Sequence, residues 1–258
     1  MLTERSGRVV AAAKLHRHVR RRRAQRFLAE GPNLVEAASR RGLVREIFVT
    51  EAAARRHGEL LHTQDVPVHL VNDRAAKALS ETVTPAGLVA VCELPATRLE
   101  EVLAGNPALI AVAVEIGEPG NAGSLIRIAD ALGAAAVVLL GHSVDPYNGK
   151  CLRASAGSIF AIPVVVAPDA DAAVGAMRKR GLQVLATTVD GPTSLEDVEP
   201  LLNRPTAWLF GAESHGLPAE LAALADHRVR IPTSGGAQSL NVVAAAAICL
   251  YQSSRALR

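Results

Sequence analysis

Residues 108–116, ALIAVAVEI, are apolar at every position except Glu115. A run of this length without alternation has no side to turn to water, so it reads as a strand covered on both faces. Such strands belong in parallel sheets flanked by helices, and the sequence that follows keeps the required alternation. A glycine-bearing turn at 117–121 leads into a helix expected over 122–132. Further strands are expected at 137–140, 162–166, 184–188 and 208–210, with a helix over 171–180. The last stretch, 231–251, reads IPTSGGAQSLNVVAAAAICLY. A strand end at Val229 and Ile231 is closed by Pro232, and a turn follows at Gly235 and Gly236. Leu240, Val243, Ala244, Ala247 and Leu250 then recur at helical spacing and predict an apolar stripe. Polar Gln238, Ser239 and Asn241 stand at the entrance of that helix, where unpaired backbone N–H groups receive polar or anionic groups. A plain N-cap on a core helix is the alternative.

The first hundred residues have a different texture. Residues 1–30 form a basic segment expected to be helical, ending at Glu30-Gly31-Pro32. Helices at 33–40, 51–62 and 73–80 alternate with strands at 44–50, 66–71 and 88–93, which predicts a small α/β domain. Residues 97–107 carry no pattern of their own and serve as the expected linker. The division is therefore 1–96, a linker at 97–107, and 108–258. A net charge of +3 understates the asymmetry, because Arg17, Arg20, Arg21, Arg22, Arg23 and Arg26 cluster near the N-terminus. A polyanion suits that cluster, and a solvated helix face is the ordinary alternative. Aromatic residues are only 3%, which argues against base-stacking platforms.

Cys92, Cys151 and Cys249 show no CxxC spacing and read as reduced thiols of a cytoplasmic protein, with Cys151, beside Lys150, expected to be the least buried. His57 and His62 have a ligand-like separation but no cysteine pair beside them, so no metal is expected. No apolar run approaches the ~20 residues that cross a membrane. The basic N-terminus is not followed by an apolar signal core, which argues against secretion.

Ligands of a parallel sheet collect beyond the carboxyl ends of its strands. Three loops there carry unusual residues: 117–127 with Asn121 and Arg127, 210–218 with Gly211, Glu213 and His215, and the 231–241 stretch. The glycines at 117, 120 and 123 do not make GxGxxG, and GK[ST] is missing, so neither a dinucleotide fold nor a phosphate loop is indicated. Taken singly, Arg127 could be a surface ion pair and Glu213 a solvated carboxylate.

In this order, however, N-x-G-x-x-x-R at Asn121–Arg127, G-x-E-x-x-G at Gly211–Gly216, and I-P followed by S-L-N-V at Ile231–Val242 resemble the three signature motifs of the SpoU (TrmH-like) branch of the SPOUT superfamily. Leu152-Arg153-Ala154-Ser155-Ala156-Gly157 resembles that family's connector. Phe27-Leu28-Ala29-Glu30-Gly31 and residues 79–91 resemble its substrate-binding domain, so the likeness spans nearly the whole chain. Within the branch the chain looks most similar to ribosomal-RNA enzymes, including the thiostrepton-resistance type.

The resemblance implies an α/β fold whose parallel sheet ends in a deep trefoil knot, preceded by a small ribosomal-protein-like α/β domain that binds substrate. Chain-topology rules alone would have rejected a knot. It implies a homodimer through the catalytic domain, RNA as partner, and S-adenosylmethionine held near Leu209, Gly211, Ile231 and Leu240. The implied reaction is methyl transfer to a ribose 2′-hydroxyl, with ribosomal (23S) RNA favoured. A transfer-RNA enzyme of the same chemistry and a non-catalytic RNA-binding or ribosome-assembly protein are the alternatives. By resemblance Arg127 activates the hydroxyl. Because a guanidinium is a poor base, clamping the phosphate and stabilising the nascent alkoxide is the preferred role. Asn121, Glu213, Ser239 and Asn241 would orient the reactants, and Arg153 would add a phosphate contact beside Arg20, Arg21, Arg22, Arg23 and Arg26.

Overall fold

The computed structural model describes residues 1–63, 65–236 and 239–257. The chain divides into two compact units, Met1–Ala96 with Asp145–Phe160, and Thr97–Val144 with Ala161–Arg258.

The first unit opens with short helices α1 (Gly7–Ala13) and α2 (His18–Ala24), followed by strand β1 (Arg26–Glu30). The expectation of helix up to residue 30 therefore fails at its end. Gln25 turns into the left-handed region (φ 52°), and Phe27, Leu28 and Ala29 are buried in the sheet. Next come α3 (Pro32–Arg40), β2 (Val44–Val49), α4 (Glu51–Arg56), α5 (Gly58–His62), β3 (Val68–Leu70), α6 (Asp73–Ala78) and β4 (Leu88–Glu93). The sheet order is β1-β4-β2-β3, with β4 antiparallel to both neighbours and β3 parallel to β2.

The second unit begins with α7 (Leu99–Ala104), where the sequence carries no strong pattern. Its Leu99 and Leu103 nonetheless join the core of this unit. Then follow β5 (Leu109–Val114), α8 (Pro119–Ala131) and β6 (Ala136–Leu140). The chain next gives α9 (Gly149–Ser155) to the first unit, and returns with β7 (Val164–Ala167), α10 (Ala170–Lys179), β8 (Gln183–Thr187), β9 (Thr193–Ser194), β10 (Thr206–Phe210), α11 (Ala219–Ala223), β11 (His227–Arg230) and α12 (Val242–Ala256). All seven strands are parallel, in the order β7-β6-β5-β10-β8-β11-β9. Every residue of β5, β6 and β10 is buried, as two-sided cover requires.

Helix α8 starts three residues earlier than expected. Pro119 takes its first position, and the Glu118 carboxylate accepts a hydrogen bond from the Gly120 N–H at 3.1 Å. Helix α12 packs against α8 and buries Val242, Ala246, Cys249, Leu250 and Ser253. Only Leu250 belongs to the expected stripe. Alanine and valine occur nearly all round this helix, so their spacing cannot select a face. The choice is made by Trp208, whose buried Nε1 donates to Ser253 Oγ at 2.8 Å.

Two residues of the first unit overturn expectations. Arg21 is 4% exposed. Its guanidinium lies 2.6 Å from Asp145 and donates to the carbonyls of Leu15 (2.9 Å) and His16 (2.7 Å). It stitches α2 to the segment before α9 and is withdrawn from any polyanion. Cys151 is fully buried in the first turn of α9, whose start Asn148 caps by accepting from the Cys151 N–H at 2.9 Å. Burial, aided by Asp145, pushes that thiol up to about 12. Burial also raises Cys92 and Cys249, so no cysteine here is set up as a thiolate.

Candidate active site

Strands β8, β10 and β11 run side by side, and their carboxyl ends open into a cleft of about 970 Å³. Thr187 and Thr188 line it from the end of β8, Gly211 to Leu217 from β10, and Ile231, Thr233, Ser239 and Leu240 from the stretch after β11. The cleft thus gathers two of the three motif loops, and a hydrogen bond adds the third. The Asn121 side-chain amide, in the first turn of α8, donates to Glu213 Oε1 across 92 residues of sequence.

The walls are held by close backbone approaches. A Cβ at Gly211 would fall inside the backbone of Gly216 and Leu217, so the turn after β10 closes only around glycine. Gly191 lies against β11, and a Cβ there would stand 2.7 Å from the Arg230 nitrogen. Arg230 secures that crossing by donating to the carbonyls of Gly191 (2.9 Å) and Pro192 (3.0 Å).

Of the expected cofactor residues, Gly211, Ile231 and Leu240 line the cleft. Leu209 does not. Its side chain is wholly buried in β10, and its carbonyl accepts from Thr187 Oγ1 at 2.9 Å, so it supports the wall from behind. Of the expected catalytic residues, Glu213 and Ser239 line the cleft. Asn241 caps α12, accepting from the Val243 N–H at 2.9 Å, which gives the plain N-cap reading its due. Arg127 is exposed on α8, outside the lining of this chain's cleft, and has no hydrogen-bond or ion-pair partner among the described residues. Gln238 lies outside the described residues. In the other unit, Arg20, Arg22, Arg23 and Arg26 are exposed, and so is Arg153, whose guanidinium lies 3.8 Å from Glu30.

Thr188 is a site residue that sequence reading missed. Its Oγ1 is buried with no hydrogen-bond partner among the described residues, although the residue lines the cleft. An orphan hydroxyl costs about 1–3 kcal/mol, so it points to a bound polar group. That hydroxyl, the glycine cradle at Gly211 and the apolar wall of Ile231, Leu240 and Val242 suit a ligand combining a flat apolar base with sugar and amino-acid polar groups. S-adenosylmethionine has this chemistry. We expect Thr188→Val to weaken its binding about 3- to 10-fold, as loss of one hydrogen bond predicts. Thr188→Ser should restore binding. The cofactor-free variant should melt no lower than the parent, since valine removes the unsatisfied group. Calorimetry and thermal melts read the two effects separately, and a parallel fall in both would give Thr188 a structural role instead.

Among the described residues, no group of three or more His, Cys, Asp or Glu could hold a metal, and no helix is long and apolar enough to cross a membrane.

Comparison with known proteins agrees with this geometry. Residues 108–251 match the SpoU rRNA Methylase family, and residues 7–90 match the MRM3-like substrate binding domain. The chain is 35% identical to the 23S rRNA (guanosine(2553)-2′-O)-methyltransferase RlmP of Bacillus subtilis, over 92% of each chain. It is 32% identical to the 23S rRNA (uridine(2479)-2′-O)-methyltransferase of Streptomyces viridochromogenes, over 92% of this chain and 85% of the relative. The crystal structure of the SpoU methyltransferase AviRb from Streptomyces viridochromogenes, in complex with AdoMet, superposes with a TM-score of 0.89 at 32% identity, covering 97% of this chain and 98% of that one.

Proposed function

The chain belongs to the SpoU rRNA methylase family, and from that premise we propose that it methylates a ribose 2′-hydroxyl of ribosomal RNA, using S-adenosylmethionine. The observation that carries this reading is the Asn121–Glu213 bond at the mouth of the cleft, which ties the first motif to the second beside the cofactor walls.

The cofactor supplies an electrophilic methyl group on a positively charged sulfur. The chain must hold the ribose oxygen in line with that methyl and manage the proton that leaves the oxygen. Gly211, Ile231, Leu240 and Thr188 hold the donor, with Leu209 supporting from behind. Glu213, fixed by Asn121, and Ser239 orient the reacting groups, and Asn241 sets the start of α12. Arg127 clamps the phosphate beside the target ribose and stabilises the charge developing on its oxygen.

Arg127 stands outside its own chain's cleft, and this supports a homodimer in which each site draws on both subunits. Helix α12, packed on α8, leaves Ile248 (38%) and Tyr251 (53%) exposed, an apolar face suited to a second copy. The tight passage of residue 191 beside β11 supports the C-terminal trefoil knot. Three free, buried cysteines accord with a cytoplasmic setting.

Residues 1–96, with Arg153 nearby in the same unit, bind the RNA. Exposed Arg17, Arg20, Arg22, Arg23 and Arg26 give that unit affinity independent of sequence. If all five meet phosphates, log K should fall with log salt at a slope of about −3.5 to −4.5. Each Arg→Ala change at an exposed position should reduce the slope by about 1. Filter binding across a salt series reads the slope, and a flat response would remove the cluster from the RNA interface.

The reading as a whole is tested by incubating the protein with labelled S-adenosylmethionine and total RNA from cells lacking it, then separating the RNA classes and mapping alkali-resistant positions. Label confined to transfer RNA, or absent altogether, would overturn it.

A further inference from the structure

The proposed reaction releases a proton that Arg127 is ill suited to accept, since its guanidinium stays charged at any working pH. Two residues of the cleft, with a third behind them, have the chemistry of a base. Ser214 and His215 line the cleft next to Glu213, and Ser214 Oγ lies 2.7 Å from His215 Nδ1. On the far side of the ring, His215 Nε2 lies 3.4 Å from Glu115 Oε2. Glu115 is the lone charge in the apolar run that opens the sheet, and it follows β5 with a φ of 53°, a left-handed conformation that non-glycine residues seldom adopt. That backbone turns a carboxylate toward the 210–216 loop, and strain of this kind concentrates at functional sites. A ring proton on Nε2, facing the carboxylate, leaves Nδ1 to accept from the serine hydroxyl.

We propose that Ser214, His215 and Glu115 form a proton relay for the attacking ribose hydroxyl, an inference that rests on the methyltransferase reading above. As the ribose oxygen bonds to the methyl carbon, the carbon–sulfur bond breaks and sulfur keeps the electron pair. The hydroxyl proton passes to Ser214 Oγ while the serine's own proton moves to His215 Nδ1. The positive charge lost at sulfur reappears on the imidazolium, where Glu115 balances it until solvent takes the proton. The other charged or titratable groups lining the cleft are Glu213, bonded to Asn121; Asp190 and Arg228, paired with each other; Asp226, paired with Arg178; and His227. Those pairs leave His215 facing one carboxylate through Nε2 and one hydroxyl through Nδ1.

The test measures single-turnover methyl transfer to ribosomal RNA against pH, together with separate binding constants for S-adenosylmethionine and RNA. For His215→Gln we expect a loss of about 10²- to 10⁴-fold, the usual contribution of a positioned base. The acidic limb of the profile should disappear, and both binding constants should stay within about threefold. Ser214→Ala should reproduce the loss. Glu115→Gln should shift the acidic limb to lower pH, because the imidazolium loses its partner and the ring stays neutral further down. A His215→Gln rate within about threefold of the parent would overturn the relay, and so would a retained acidic limb or a matching loss of binding. An inactive parent protein would instead count against the methyltransferase reading itself.

Discussion

Arg127→Ala should reduce methyl transfer by about 10³-fold or more, equivalent to ~4 kcal/mol of transition-state stabilisation, while S-adenosylmethionine binds as before. The reason is positional. Arg127 is exposed on α8 and lies outside the lining of its own chain's cleft, so on the proposed reading its removal leaves the walls around the cofactor in that cleft intact. Among the described residues its guanidinium has no partner, so the free protein loses no ion pair either. On the proposed role, what disappears is a fixed positive charge beside the RNA phosphate and the nascent alkoxide, an interaction that matters most in the transition state. Arg127→Lys should recover little, because a point charge on a flexible stem cannot form the two-pronged contact of a guanidinium. Isothermal calorimetry with the cofactor and a single-turnover assay separate the two effects. Equal losses in cofactor affinity and turnover would show that Arg127 helps bind the methyl donor, and the division of labour would have to be redrawn.

The sheet of the second unit was legible in the sequence because two-sided burial leaves a plain mark. Residues 108–116 could be little else, and β5 is buried along its whole length. Elements whose structure depends on distant partners were harder to see. Residues 26–30 continue a basic segment, yet they form a strand because β4 pairs with them from Glu93 to Val89. Arg21 reads as one more charge in a run, but the sequence does not reveal that Asp145 meets it from 124 residues away. Helix α12 was legible as a helix but not in its orientation, since apolar residues surround it and the Trp208–Ser253 bond decides the face. The site was legible as three loops, and the Asn121–Glu213 bond joins two of them. Thr188 left no signal beyond its place at the end of β8. Its lack of a partner appears only once the strand is packed.

Gly211→Ala should be as damaging as the loss of Arg127, by the opposite route. The added Cβ falls on the backbone of Gly216 and Leu217, atoms that cannot swing aside as a side-chain tip can. The turn after β10 must open, carrying Glu213 away from Asn121 and spoiling the cofactor wall. We expect S-adenosylmethionine binding to fall below detection, with a stability cost of about 1–3 kcal/mol from the overpacked turn, read by thermal melting. Each variant alone should therefore be inactive, and mixing them reveals where Arg127 acts. If Arg127 serves the partner's cleft, a dimer with one subunit of each kind keeps one complete site, formed by the intact cleft of the Arg127→Ala chain and the arginine of the Gly211→Ala chain. Random assortment puts half the subunits in such dimers, so about a quarter of parental activity should return. If Arg127 instead serves the cleft of its own chain, no pairing contains a complete site and the mixture stays inactive. Co-expression with two affinity tags isolates the mixed dimer, and its activity decides between the arrangements. Recovery requires Arg127 to reach across an interface, which is what its absence from its own cleft's lining leads us to expect.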